Sequence, residues 1–188
     1  NGDVEVNTKG AADAFTRARG WIGTISPQGV LTYKEEESRL VFQQGNAAFL
    51  RNWPYVWSLA SGDNSAVKGK IGATVLPAGS ARSAATLGGW NLAVSKYSKH
   101  VPEAKKFVAY MTSEAAQSYR ALEGGYLPNR PAVYANAEIS GKIPYFANMK
   151  SVFENAVARP SLGSGRYYNE VSSVYFNAVH SILNGDTT

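Results

Sequence analysis

Apolar residues recur at helical intervals in some stretches of the chain and form short continuous runs in others, and the two patterns alternate. Residues 11–21 (AADAFTRARGW) carry a loose helical periodicity that ends near Gly20. Pro27 and Gly29 mark a loop. Thr32 then precedes Glu35 at the spacing of a capping box, in which the hydroxyl accepts the Glu35 amide and the carboxylate answers back. Tyr33, Leu40 and Val41 supply one apolar face of that helix, and Gly45 is a left-handed stop. Residues 47–50 read as a short strand and residues 71–79 (IGATVLPAG) as a second, stopped by Pro77. The small, polar residues 79–86 read as an exposed connection, and residues 87–96 (LGGWNLAVSK) as a third apolar strand opened by paired glycines.

The second half of the chain is helical in pattern. Pro102 sits at a helix start, followed by Ala104, Phe107, Val108 and Met111 at helical intervals. Ser113 caps the next helix, which Gly124 and Gly125 end. Residues 125–134 (GYLPNRPAVY) read as a proline-rich loop. A helix over residues 149–156 places Met149, Val152, Phe153 and Ala156 on one side. A last helix carries Val171, Val174, Tyr175, Ala178 and Ile182 as a buried stripe, with Gly185 beyond its end. Short strands alternating with helices define an α/β chain.

Composition narrows the function. The 188 residues suffice for one large domain or two small lobes, with 44% hydrophobic and 18% charged residues. No apolar run approaches the ~18 residues of a membrane span. The opening NGDVEVNTKG has neither the basic start nor the apolar core of a signal peptide, so the chain reads as a mature protein or a piece of one. Cysteine is absent, which excludes a disulfide scaffold, a thiolate metal site and a cysteine nucleophile. The net charge of +5 is dispersed, with no basic block longer than Lys105 and Lys106, which argues against a nucleic-acid partner.

Catalytic and metal patterns are also missing. His100 and His180 are far apart and have no second ligand at metal spacing. There is no nucleophile elbow, Walker loop or dinucleotide fingerprint, and no cofactor is implied. The acidic residues 35–37 point in different directions on a helix and sit where they favour its dipole, so they do not form a catalytic pair.

What recurs is an aromatic or arginine residue in a loop after a regular element. Residues 51–57 (RNWPYVW) pack two tryptophans, a tyrosine and a proline just past a predicted strand, where Arg51, Asn52 and Pro54 break any stripe that would bury all the rings. Gly89 with Trp90, Gly125 with Tyr126, and Arg159 with Pro160 repeat the arrangement. Loops of this kind are where sites on α/β scaffolds collect.

The run RLVFQQGNAAFLRNWPYVW, then GKIGATVLP, LGGWNLAVSKYSK and EAAQSYRALEGGYLPNRPAVY resembles the C-terminal part of bacterial ABC-transporter solute-binding proteins of the sugar-binding family, trehalose/maltose branch. The resemblance implies a periplasmic-binding-protein-like fold of two α/β lobes with sugar in the cleft between them, of which only the C-terminal portion is present. Residues 1–86 would belong to the second lobe, 87–134 to the first after a hinge crossing, and 135–188 to the second again. It implies an extracytoplasmic protein, periplasmic or extracellular, that captures a mono- or disaccharide such as maltose or trehalose. The sugar would pass to membrane permease subunits through which the protein associates with the membrane.

By the same resemblance Trp53 stacks on a sugar ring and Gly89 and Trp90 line the site, while Tyr55 stacks, donates its hydroxyl or serves packing. Tyr126 adds a further aromatic surface, and Arg159 reaches a sugar hydroxyl or, in the other reading of the residue, forms a salt bridge. The physics agrees, since a pyranose presents a face of C–H groups to the negative face of an indole and a guanidinium fork suits a diol. Trp21 and Trp57 are left to the core. The family's acidic sugar-gripping residues lie in the missing half, and the apolar surface that half would cover invites self-association. Two other readings stay open: a glycoside hydrolase using carboxylates such as Glu123, Glu138, Glu154 or Glu170, and a sensor presenting sugar to a receptor.

Overall fold

A computed structural model describes residues 6–80 and 82–187, the side chain of Ala147 apart. Residues 1–5 of the opening segment and Ala81 of the predicted connection lie outside the described residues. The chain divides into two compact units, Asn1–Ser38 with Pro160–Thr188, and Arg39–Arg159.

In the first unit, α1 (Lys9–Trp21) begins at Thr8, whose side chain accepts the Ala11 amide at 3.2 Å. A 3₁₀ turn covers Gln28–Leu31. Helix α2 (Glu35–Gln43) carries the chain from one unit into the other. Its capping box is displaced two residues from the predicted one. The Thr32 hydroxyl donates to the Gly29 carbonyl, whereas the Glu37 carboxylate accepts the Lys34 amide at 3.0 Å. Lys34 is therefore the cap, and Glu37 supplies the reciprocal half of the box. Accepting its own backbone amide and that of Lys34, beside the Lys34 charge, holds the Glu37 carboxyl below its ordinary value.

Helix α8 (Ser161–Ser164) and α9 (Tyr168–Asn184) complete this unit. Helix α9 ends as predicted on Gly185, with φ of 93°. The Arg19 guanidinium lies against Gly185, where a cation favours the carbonyl end of a helix. The predicted stripe on α9 is only partly covered. Tyr175, Ala178 and Ile182 face Ala11, Ala12 and Phe15 across a groove between α1 and α9, but Val174 is 73% exposed and no residue of α9 is fully buried. A single packed helix covers only part of a stripe this wide. Trp21, expected in the core, is 46% exposed at the end of α1.

The second unit holds the core. It contains helices α3 (Val56–Ala60), α4 (Val101–Met111), α5 (Glu114–Gly124), α6 (Ala137–Lys142) and α7 (Phe146–Glu154), with a 3₁₀ turn over Pro131–Ala135 between α5 and α6. Ser113 caps α5 by accepting the Ala116 amide, and Gly125 closes it in the left-handed conformation, both as predicted. Ala121, Val133, Tyr134, Ile139, Ile143, Tyr145, Phe146 and Met149 form one apolar cluster. Phe146 is 1% exposed and stacks on Tyr134 at 4.8 Å. Part of the predicted proline-rich loop is thus core: Pro131 starts a turn that buries Val133 and Tyr134, and the Tyr134 hydroxyl donates to the Pro128 carbonyl.

The three predicted strands do not form strands among the described residues. Residues 47–50, 71–79 and 87–96 follow irregular or extended paths, and the backbone pairings are isolated parallel bridges, Ile22 with Ser26 and Thr86 with Val157. A strand needs a ladder of backbone partners, and among the described residues the three segments have only isolated pairing, that of Leu87 with Val157. The α/β expectation therefore holds here only for its helices.

Candidate functional site

Residues 52–58 are the hub of the predicted site. The Trp53 amide donates to the Asn52 side-chain oxygen at 2.7 Å, which starts a turn. The Trp53 carbonyl then takes the Val56 amide, and the Pro54 carbonyl takes the Trp57 amide at 3.0 Å. A second donor reaches Pro54 from a distant part of the sequence, the Tyr145 hydroxyl at 3.2 Å. Tyr145 also packs its ring on Trp57, centroids 4.8 Å apart. Burial pushes the Tyr145 phenol up to about 12. Trp57, half-buried against the core, thus has the packing role expected of it, and it anchors the segment that carries Trp53 and Tyr55.

Two glycine loops meet this hub. A Cβ built on Gly88 would stand 2.5 Å from Cη2 of Trp53, so the indole lies directly on the Gly88 backbone. Gly89, with φ of 155° and open space around it, turns the chain so that Trp90 is 98% exposed. On the other side, Gly125 packs against the Ser58 side chain and the Tyr55 backbone. Tyr126, 48% exposed, folds over Gly124 and carries the Arg120 guanidinium 5.0 Å from its ring centre.

Arg159 lies two residues past a short backbone pairing. Leu87 donates to the Val157 carbonyl and Val157 to the Ala85 carbonyl, each at 2.8 Å, and Arg82 donates to the Asn155 carbonyl at 2.6 Å. In parallel register, two residues beyond this pairing lie Gly88 on one segment and the exposed Arg159 on the other. Contacts within one unit thus link Trp53 to Gly88 and Tyr55 to Gly125, while Trp90 and Arg159 are placed by chain position beside them. Trp53 is 42% exposed, so neither site tryptophan is buried. Sequence reasoning missed Gly88 and Tyr145. The first was visible as half of a glycine pair, and the second, 91 residues from Pro54, left no local signal.

The carboxylates weighed for hydrolysis do not converge. Glu138 pairs with Lys142 at 3.1 Å and Glu154 with Lys150 at 3.5 Å, each one turn apart on the exposed face of its own helix. Glu123 on α5 and Glu170 on α9 are exposed as well. Among the described residues, no three His, Asp or Glu side chains gather as a metal site would require, and no helix is long and apolar enough to cross a membrane.

Residues 1–118 match the family of bacterial extracellular solute-binding proteins, and the chain belongs to that family. A probable ABC transporter-binding protein of Deinococcus radiodurans is 44% identical over 184 residues, 97% of this chain and 44% of that protein. The solved structure of maltose-bound T. maritima MalE3 superposes on the whole chain with a TM-score of 0.93 at 40% identity, over 49% of its own length. The chain thus spans less than half the length of these relatives.

Proposed function

We propose that this chain is part of the sugar-binding component of an ABC importer, with the aromatic surface around Trp53 as one side of its binding site. The observation that carries the proposal is the contact of Trp53 with Gly88, which brings the NWPY and GGW loops together with both indoles open. Stacked sugar needs broad apolar faces flanked by polar groups, and Asn52 and Tyr55, beside Trp53 in the chain, with Arg159 would supply these. Family membership and the maltose held by MalE3 support a mono- or disaccharide ligand such as maltose or trehalose.

In this reading the chain performs no chemistry. Residues 1–86 and 135–188 join one lobe of a longer protein and residues 87–134 the other. Closure of the lobes on the sugar would make the loaded form recognisable to the permease, hinge closure being the established behaviour of periplasmic binding proteins. The protein would work in the periplasm or outside the cell, held to the membrane by the transporter, and the open apolar surface of the chain would promote self-association.

Calorimetric titration of the full-length gene product with a panel of small sugars, alongside an assay for glucose released from maltose and trehalose, tests the proposal. Saturable binding without turnover is expected. Glucose release, or failure to bind any sugar, would overturn it.

A further inference from the structure

We infer that Gly88 is the positioning residue of this site: its lack of a side chain sets where the Trp53 indole lies. The inference rests on the sugar-binding reading for its consequence but on geometry for its substance. A Cβ at Gly88 would stand 2.5 Å from Cη2, 3.3 Å from Cζ3 and 3.6 Å from Cζ2 of Trp53, three atoms of the benzo ring. Separations below about 3.5 Å fall inside carbon–carbon contact distance, so the ring and a methyl group cannot both occupy this space.

The two glycines of the pair do different work. Gly89 has nothing within 4 Å of its would-be Cβ, and its φ of 155° marks it as a backbone requirement. Gly88 has a crowded side-chain position, and the three nearest atoms it would meet all belong to Trp53. The neighbouring backbone is already fixed. The Trp53 amide is held by Asn52, its carbonyl by the Val56 amide, and the Pro54 carbonyl by Trp57 and Tyr145. What remains to be set is the orientation of the indole, and Gly88 lies under its outer edge.

A methyl group there displaces the ring rather than the chain, because the ring is the far end of a rotatable and partly exposed side chain. Stacking on a sugar face depends on the tilt and position of the platform, so displacement costs affinity without removing any ligand contact of Gly88 itself.

The test uses the full-length gene product and four forms: unaltered, Gly88→Ala, Trp53→Phe, and both together. Phenylalanine lacks the benzo ring that reaches Gly88. Gly88→Ala is expected to weaken maltose binding about 10-fold in the unaltered background and less than about 2-fold with Trp53→Phe, a coupling of about 1 kcal/mol. A ligand-free readout accompanies it. In protein labelled with 5-fluorotryptophan, the fluorine resonance lost in Trp53→Phe identifies Trp53, and Gly88→Ala should shift that resonance while those of Trp21 and Trp57 stay in place.

If Gly88→Ala alone does not fold, recovery of folding by adding Trp53→Phe supports the same contact. Equal losses of affinity in both backgrounds, an unmoved Trp53 resonance, or a folding defect that Trp53→Phe does not relieve would overturn the inference. Unchanged affinity in Trp53→Phe, with the resonance still shifted by Gly88→Ala, would instead remove Trp53 from the sugar site and leave its positioning by Gly88 standing.

Discussion

The segment from α5 to α7 and the run over residues 70–96 belong to the same compact unit, and both are rich in apolar residues, yet they end in opposite states. The first supplies its own partners: α5, the 3₁₀ turn, α6 and α7 close around Phe146, and Tyr134, Tyr145 and Met149 are buried with it. The second, in its described residues 70–80 and 82–96, forms no helix or strand, with Leu87, Trp90 and Leu92 exposed, Val75 and Leu76 partly covered, and one isolated bridge from Thr86 to Val157. A helix satisfies its backbone internally, so helices with matching faces can bury one another inside one stretch of chain. A segment outside any helix depends on a neighbour for its backbone and its side chains alike. In the proposed two-lobe frame, the partners of residues 70–96 come from elsewhere in a longer protein.

Substitutions on the two sides should therefore differ most. Phe146→Ala should cost about 3–5 kcal/mol of stability, as removal of a fully buried ring does, while Leu92→Ala in the 188-residue chain should be nearly neutral. Urea denaturation of both variants measures this. Comparable losses at the two positions would break the contrast.

The aromatic surface sits where the two regions meet, and it should separate binding from folding. Trp53→Ala in the full-length gene product should remove on the order of 1–3 kcal/mol of sugar affinity and leave the denaturation midpoint close to its original value. Loss of the midpoint with unchanged affinity would assign the indole to packing.

Alkali probes the anchor beneath that surface. The Tyr145 phenol is raised to about 12 by burial, so it stays protonated in the folded state when an unfolded phenol, with its ordinary value of 10, has released its proton. The unfolded state then binds fewer protons, and stability falls as pH rises from 10 toward 12. For Tyr145 the loss should reach about 1.4 kcal/mol at pH 11. Tyr145→Phe should flatten the fall relative to the parent, leaving the share due to Tyr134, which burial raises further. Denaturation series at pH 9, 10 and 11 test this, and parallel curves for parent and variant would refute it.

The smallest effect lies at the start of α2. Because the Glu37 carboxyl is held below 4.5, its contribution is present above that value and fades as pH falls through its lowered one. Glu37→Gln should leave a slightly less stable helix at neutral pH and a shallower acid dependence, followed by thermal melts between pH 3 and 7. An unchanged acid limb would mean that the carboxylate does not cap this helix.

Local chemistry was legible in the sequence. Ser113, Pro102, Gly45, Gly125 and Gly185 start or stop helices because each acts on backbone groups within a few residues. The misread capping box is a two-residue error of the same local kind, since either Thr32 or Glu37 could satisfy an amide near Lys34 and the register of α2 decided between them. Burial was less legible. Val133 and Tyr134 sit in proline-rich sequence that reads as surface, and tertiary packing by α5 and α7 makes them core. Apolar runs over residues 71–79 and 87–96 look like strands wherever pairing is assumed, and pairing is a property of two segments. At the candidate site, residue type and loop position pointed to Trp53 and Trp90. The contacts of Gly88 and Tyr145, which hold Trp53 in place, arise across 35 and 91 residues of chain and have no local signature.

The central claim is that these residues carry one side of a sugar site whose other side lies outside them. Sugar hydroxyls that leave water need a partner for each donor and acceptor, and aromatic platforms alone do not provide them. Titrating maltose and trehalose into the 188-residue chain and into the full-length gene product, under the same buffer and temperature, measures this directly. The chain should bind at least ~100-fold more weakly, a difference of about 2.7 kcal/mol. Equal affinities would contradict the account, because the site would then be complete within the chain.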